Sequence, residues 1–184
     1  MNLLAFADMR SSEKVPFYED VDLICLLGKI PSKIISAIEE QYADTPIIGL
    51  LSNSCSPKHY DDTRVINIHK KYVDVHGIRF AGFGGAPLTT NETSGYYSEE
   101  EAAQFIDSLE NSDVDVLLSY SNFAYGDLKQ ANADNGFKAY HRIVIDDIVP
   151  IVIHGRLYSD FERTLGPTTI YSVYPYKLIS INKK

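Results

Sequence analysis

Apolar residues along this chain come in short, unbroken runs bounded by turn residues. Leu3–Ala7, Val21–Leu27, Pro46–Leu51, Val114–Ser119 and Ile151–His154 are too short for typical helices and do not alternate with polar residues. Runs of this length, rich in Ile, Leu and Val, predict strands buried on both faces, as in parallel sheets. Between the second and third runs, Pro31 stands at a helix start, where its missing N–H costs nothing. Ile34, Ile35, Ile38 and Tyr42 then recur at helical spacing, so residues 31–43 are expected to form an amphipathic helix. Strand, loop, strand, helix, strand is the rhythm of an α/β protein.

The middle of the chain changes character. Arg64–Ile68, Tyr72–Val75 and Ile78–Gly82 are shorter strand candidates, with His76-Gly77 as a turn between the last two. A doubly wound sheet would need a helix between most of them, so two sheets are favoured over one continuous parallel sheet. Gly82-Phe83-Gly84-Gly85 reads as a tight bend near a sheet edge, and the polar stretch to Tyr97 as a long loop. Ser98 with Glu101 fits a capping box, and Ala102, Phe105, Ile106 and Leu109 give the helix behind it an apolar face. Phe137–Asp147 is expected to be helical, with Pro150 ending it, while Thr168–Val173 and Lys177–Ile181 read as a hairpin or as adjacent strands. No repeat, low-complexity stretch or interdomain linker interrupts residues 1–184, a length that suits a single domain with a sizeable core.

Charge narrows the choice of partners. Asp and Glu outnumber Lys and Arg by 25 to 17, for a net charge of -8. Nucleic acid is disfavoured, because non-specific binding rests on phosphate neutralisation by Lys and Arg, and an anionic membrane surface is disfavoured for the same reason. No apolar stretch reaches the length of a membrane span. Met1–Ala7 lacks the basic flank and cleavage site of a signal peptide, so a cytoplasmic protein is expected. Cys25 lies in a core run and Cys55 in a turn, which does not make a disulfide framework.

Candidate chemistry gathers at the carboxyl ends of the predicted core strands, where open α/β sheets place their ligand sites. The segments are Ala7-Asp8-Met9-Arg10, Leu27-Gly28-Lys29-Ile30, Leu51-Ser52-Asn53-Ser54-Cys55, Leu117-Leu118-Ser119-Tyr120 and His154-Gly155-Arg156-Leu157-Tyr158. Their order and spacing resemble the calcineurin-like metallophosphoesterases, whose signatures run D-x-H, G-D, G-N-H-[DE], a lone H after an apolar strand, and G-H-x-H. The resemblance extends from Leu3 to about Ile181 and takes in Gly77–Gly85 and Val114–Leu118. It implies a four-layer α/β/β/α sandwich.

Chemistry in that family needs two cations bridged by a carboxylate to activate water and stabilise phosphoryl charge. On the matching positions, Asp8 and Asn53 keep the family residue. Arg10 stands at the first His, Lys29 at the bridging Asp and Tyr120 at the lone His. Arg156 and Tyr158 stand at the two His of the last motif, Ser54 at the His that assists the leaving group, and Cys55 at the acidic residue after it. Arg does not deprotonate in proteins and cannot ligate. The resemblance therefore implies a degenerate member with no dinuclear metal centre, no cofactor and no catalytic residue. Arg10, Lys29 and Arg156 are expected to converge on Asp8, with Lys29 in place of the metal charge, and to be capable of holding a phosphate or carboxylate. The alternative is a filled remnant, with Tyr120 and Tyr158 packed into an emptied cleft.

A catalytically inactive interaction scaffold follows first, with a protein partner or self-association. The small retromer subunit and the accessory subunits of replicative DNA polymerases, which share this fold, serve mainly as scaffolds. The alternatives are a metal-free binder of a phosphate-bearing ligand or nucleotide, and a metal-dependent phosphoesterase with an altered site. Ser54–Thr63 and Pro87–Tyr97 are the expected contact loops, since they carry apolar or aromatic residues among polar ones. Cys55 with Ser54 and His59 is a weak nucleophile–base pattern that lacks an orienting third group. Gly82-x-Gly84-Gly85 lacks the lysine and helix of a phosphate loop. His69 and His76 read as surface residues flanking a strand.

Overall fold

The unbroken apolar runs become the centres of two sheets. In the computed structural model, which describes residues 1–89, 94–125 and 135–182, the chain runs β1 (Asn2–Ala7), β2 (Leu23–Leu27), α1 (Ser32–Gln41), β3 (Ile47–Leu50), β4 (Ile66–Asn67), β5 (Lys71–Val75), β6 (Ile78–Phe83), β7 (Ala86–Pro87) and β8 (Tyr96–Tyr97). It continues as α2 (Glu99–Leu109), β9 (Val116–Ser119), α3 (His141–Ile145), β10 (Ile151–His154), β11 (Phe161–Leu165), β12 (Thr168–Ser172) and β13 (Tyr176–Ser180). The first sheet has the order β13-β1-β2-β3-β4 and the second β11-β12-β10-β9-β6-β5, while β7 pairs with β8. Interior pairings are parallel. Antiparallel strands sit at the edges, β13 on the first sheet and β5 and β11 on the second.

Alternation of side chains across each strand builds the layers. Leu3, Ala5 and Ala7 of β1 join Leu23, Cys25 and Leu27 of β2 and meet Phe80, Val116, Leu118 and Ile153 of the second sheet. The residues between them, Leu4, Phe6, Ile24 and Leu26, pack on Ile34, Ile35 and Ile38 of α1. On the far face of the second sheet, Ala81, Phe83, Leu117 and Val152 meet Ala102, Phe105, Ile106 and Leu109 of α2 and Ile143 of α3. The order is helix, sheet, sheet, helix, a mixed α/β four-layer sandwich rather than one doubly wound sheet. Burial of both faces explains why the core strands read as unbroken apolar runs.

The capping box forms as expected. Ser98 Oγ accepts the Glu101 N–H at 3.1 Å, and the Glu101 carboxylate accepts the Ser98 N–H at 3.1 Å. Elsewhere the structure corrects the expected elements. Thr168–Val173 and Lys177–Ile181 are not neighbours, because β12 belongs to the second sheet and β13 to the first. The link between them crosses the rim: Val173 N–H bonds His154 O, and Pro175 O accepts the Ala7 N–H. The hairpin near this end is instead β11–β12, turning at Gly166 with φ +55. The long loop after Gly85 contains the β7–β8 pair. The helix expected at 137–147 divides into a 3-10 turn, Lys138–Tyr140, followed by the short α3. No helix among the described residues is long and apolar enough to cross a membrane.

Two substitutions test the layer assignment. Phe80→Ala empties a fully buried site between the sheets and should cost about 3–5 kcal/mol in urea unfolding. Ser98→Ala removes only the cap of α2 and should cost about 1 kcal/mol. Similar costs at both positions would contradict the placement of Phe80 in the central core.

Candidate functional site

The carboxyl ends of β1, β2, β3, β9 and β10 meet at one rim of the sandwich. Small residues let the two sheets approach there. A Cβ on Gly155, just after β10, would lie 3.0 Å from Ala7 Cβ and 3.1 Å from Leu27 O. Gly28 has φ +100, and a Cβ on it would lie 2.1 Å from the ring of Tyr120. The Tyr120 ring, 6% exposed, thus rests on the bare backbone at the end of β2. Asp8, Arg156 and Tyr158 all take left-handed backbone, with φ of 50, 72 and 52. Such conformations are uncommon for residues with a side chain, and here they cluster at one rim.

Asp8 is 5% exposed. Its Oδ2 accepts the Arg156 backbone N–H at 3.0 Å, while its buried Oδ1 has no partner. Desolvation pushes its pKa up to about 6, against the pull of that N–H and of the Lys29 and Arg156 charges. Lys29 is exposed and acts on Asp8 only through space: it makes no ion pair with it among the described residues. The expected replacement of metal charge by a docked Lys29 ammonium is therefore absent as a direct contact.

The cations do not all converge. Arg10 and Lys29 line a shallow depression of about 440 Å³ together with Asp8, Met9, Ser11 and Tyr158. The half-buried Arg156 donates from its guanidinium to Ser121 Oγ at 3.0 Å and Asn135 O at 2.7 Å. Desolvation lowers its pKa. Ser121 and Asn135 carry no motif signal, so sequence reasoning misses them.

The other expected positions fill space or pair locally. Burial, reinforced by the charge of Asp8, raises the pKa of Tyr120. Tyr158, 55% exposed, stands edge-on to Tyr174 with ring centroids 5.4 Å apart. The Asn53 amide donates to Tyr96 Oη at 2.7 Å. Ser54 Oγ lies 3.1 Å from Ser52 Oγ, which also lies 3.1 Å from Cys55 Sγ. His59 contacts Ile30 O at 2.7 Å through Nε2, whereas Cys55 Sγ contacts Ser52 Oγ and Gly28 O. In the expected contact loop Ser54–Thr63, Tyr60 turns inward, and its hydroxyl donates to Leu50 O at 3.0 Å. Residues 90–93 of the loop Pro87–Tyr97 lie outside the described residues.

Two histidines belong to the interior rather than to this rim. His154 is fully buried. Its Nδ1 contacts Gly155 O at 2.9 Å and its Nε2 contacts Tyr125 Oη at 3.1 Å. A carbonyl only accepts, so Nδ1 carries the proton and Nε2 accepts from the tyrosine. Desolvation holds this imidazole down at about 4. His69, expected at the surface, is half-buried between Phe83 and Tyr97. His76 is exposed as expected.

A two-metal centre does not fit these residues. Among the described residues, no group of three or more His, Cys, Asp or Glu is placed to hold a metal ion. Asp8 Oδ1 is an acceptor that a cation would satisfy, but the Tyr120 ring covers Gly28, and Arg10, Lys29 and Arg156 at the matching positions cannot ligate as cations.

Substitutions at this rim should report its packing and charge. Gly28→Ala should cost more than about 2 kcal/mol from overpacking and left-handed strain. Adding Tyr120→Ala should recover part of that loss; a neutral Gly28→Ala would disprove the ring-on-backbone contact. For Asp8, the folded pKa of about 6 lies above the ordinary 3.8. Its contribution to stability is fully present below about pH 4 and is lost as the pH rises through about 6. Relative to wild type, Asp8→Asn should therefore gain on the order of 2–3 kcal/mol between pH 4 and pH 8. A difference that stays constant across that range in urea titrations would place Asp8 in solvent.

No protein-family model and no curated protein matches this chain. Solved structures do match. Phosphopantetheinyl hydrolase (PptH) from Mycobacterium tuberculosis aligns with a TM-score of 0.63 at 11% identity, over 95% of this chain and 90% of that one. A Staphylococcus aureus protein assigned as a 5'-nucleotidase, crystallised with alpha-ketoglutarate, aligns with a TM-score of 0.54 at 9% identity. That match covers 94% of this chain but 48% of the longer one. At such identities the likeness is one of fold, and the fold of this chain is metallophosphoesterase-like.

Proposed function

We propose that this chain is a metallophosphoesterase-like protein that does not carry out two-metal hydrolysis and acts as an interaction scaffold. The observation that carries the reading is Tyr120 seated on Gly28, beside an Asp8 held by a backbone N–H. Family chemistry requires several oxygen or imidazole ligands around each cation. Here the matching positions offer Arg10, Lys29, Tyr120, Arg156 and Tyr158 instead. The neighbours are named as a phosphopantetheinyl hydrolase and a 5'-nucleotidase, and under this reading the fold is kept while the hydrolytic centre is lost.

The deciding experiment combines elemental analysis of the purified protein with a phosphodiester assay in manganese. Substoichiometric metal and no turnover are expected. Stoichiometric metal with turnover would instead establish a phosphoesterase with an altered site. Purification from the native source should yield a stoichiometric partner, or a defined self-association by light scattering; a lone monomer without either would remove the scaffold role.

A second reading, a metal-free binder of a phosphate-bearing ligand or nucleotide, is favoured by a different observation. Arg10 and Lys29 make no ion pair among the described residues and line one depression together with Asp8 and Tyr158. A ligand that brings an anionic group to the rim would pair with both cations. Phosphate or a nucleotide should then raise the melting temperature of wild type, and Arg10→Ala with Lys29→Ala should abolish the rise. An unchanged melting temperature across the ligand panel excludes this reading.

A further inference from the structure

A second concavity lies beside the rim and shares no lining residue with the Asp8 depression. It has a volume of about 190 Å³ and is bounded by the loop after β3, the β4–β5 connection, Gly84-Gly85 and Ser94–Tyr97. It opens where the two sheets join. Asn67 ends β4 of the first sheet, and His69 bridges to Gly82 on β6 of the second. The residue between them, Ile68, is 1% exposed and packs into the core against Gly82. Alternation along the extended backbone puts Asn67 and His69 on the opposite face, and both line the cavity.

Backbone donors fix the polarity of both side chains. The His69 N–H bonds Asn67 Oδ1 at 3.0 Å, so the Asn67 amide is oriented with its NH₂ outward. The Gly84 N–H bonds His69 Nδ1 at 2.9 Å. A nitrogen that accepts is unprotonated, so the neutral ring carries its hydrogen on Nε2. Burial and then the nearby Lys70 charge hold the imidazole down at about 4; Lys71 adds to the effect and Glu101 opposes it. At neutral pH His69 is therefore a fixed N–H donor, not a cation. Neither outward donor has a hydrogen-bond partner among the described residues.

The surroundings define what would meet these donors. Lys70 lies 4.9 Å from the Tyr97 ring centroid, and Lys71 Nζ bonds Asn67 O at 3.3 Å. With Glu101 paired to Lys70 at 3.2 Å, the local balance is positive on a chain whose net charge is -8. Both donors belong to residues that line this one cavity, and a carboxylate has two oxygens that can accept from them. Leu51, Pro57 and Tyr97 supply apolar wall. At about 190 Å³ the cavity is smaller than the roughly 300–1,000 Å³ of drug-sized ligand pockets, a size that suits a small molecule.

We propose that this cavity binds a small carboxylate, whose oxygens accept from the Asn67 amide and His69 Nε2 while its apolar body packs on Leu51, Pro57 and Tyr97. Phosphate fits less well, because its additional charge and oxygens would be desolvated against these apolar walls. The proposal stands apart from the reading of the Asp8 rim.

NMR titration of the full chain tests it, following the Asn67 side-chain amide and the His69 ring at neutral pH. The probes are propionate, benzoate, propionamide and inorganic phosphate. Saturable shifts at both groups are expected with propionate or benzoate, and binding at least about tenfold weaker with propionamide, the loss expected for a missing charge-assisted hydrogen bond. Absence of saturable shifts with either carboxylate, or equal affinity for propionamide or phosphate, would overturn the assignment. Asn67→Asp keeps the acceptor for the His69 N–H and replaces the donor with a negative charge. It should weaken carboxylate binding by at least about tenfold, and unchanged affinity would also overturn the proposal. The wild-type titration decides without this variant should Asn67→Asp fail to fold.

Discussion

The close apposition of the two sheets at their carboxyl ends governs the rest of the molecule. Along most of the interface the sheets are separated by full-sized side chains, such as Phe80 and Leu118 against Leu3 and Leu23. Toward the rim the first sheet offers Ala5, Ala7 and Gly28, and the second offers Gly155. Bulk on one side is matched by bare backbone on the other, as close packing requires. Tyr120 can land on Gly28 only because that residue has no side chain and takes φ +100. The same approach brings the Arg156 N–H to Asp8, across 148 residues of sequence.

That geometry sets the electrostatics of the rim. A carboxylate 5% exposed would ordinarily be matched by a cation in contact. Asp8 instead receives one backbone N–H and the distant influence of Lys29 and Arg156. The partial compensation is visible in a pKa raised to about 6 and in an Oδ1 without a partner. Arg156 satisfies its guanidinium elsewhere, on Ser121 and Asn135. The rim therefore holds both an unsatisfied acceptor and, in Arg10 and Lys29, cations without ion-pair partners among the described residues. In this respect it differs from the central core, where apolar atoms satisfy one another.

Much of this architecture is already legible in the chain. Unbroken apolar runs mark strands buried on both faces, because a strand between two layers has no polar side to display. The period of Ile34, Ile35 and Ile38 marks α1, and Ser98 with Glu101 marks the start of α2, since both signals depend on neighbours within a single turn. The strands at sheet edges are harder to read. Phe161–Leu165 is half-exposed and alternating, and β12 and β13 lie close in sequence yet in different sheets. Which sheet a strand joins depends on partners far along the chain, such as Asn2–Phe6 for β13, and no local pattern encodes that choice.

The sequence by itself determined which side chains stand at the strand ends: Asp8, Arg10, Lys29, Asn53, Tyr120, Arg156 and Tyr158. That much follows because motif positions are counted from strand ends, and the strands are fixed by local hydrophobic pattern. Only the tertiary structure decided where each group points. It separated Arg156 from Arg10 and Lys29, turned Tyr60 inward, and drew His69 from an expected surface site into a ring stack with Tyr97. Side-chain direction at a rim is set by backbone φ, by the nearest hydrogen-bonding partner and by the space a facing glycine leaves open. Those partners come from elements distant in sequence, so they exist only once the two sheets have closed on each other.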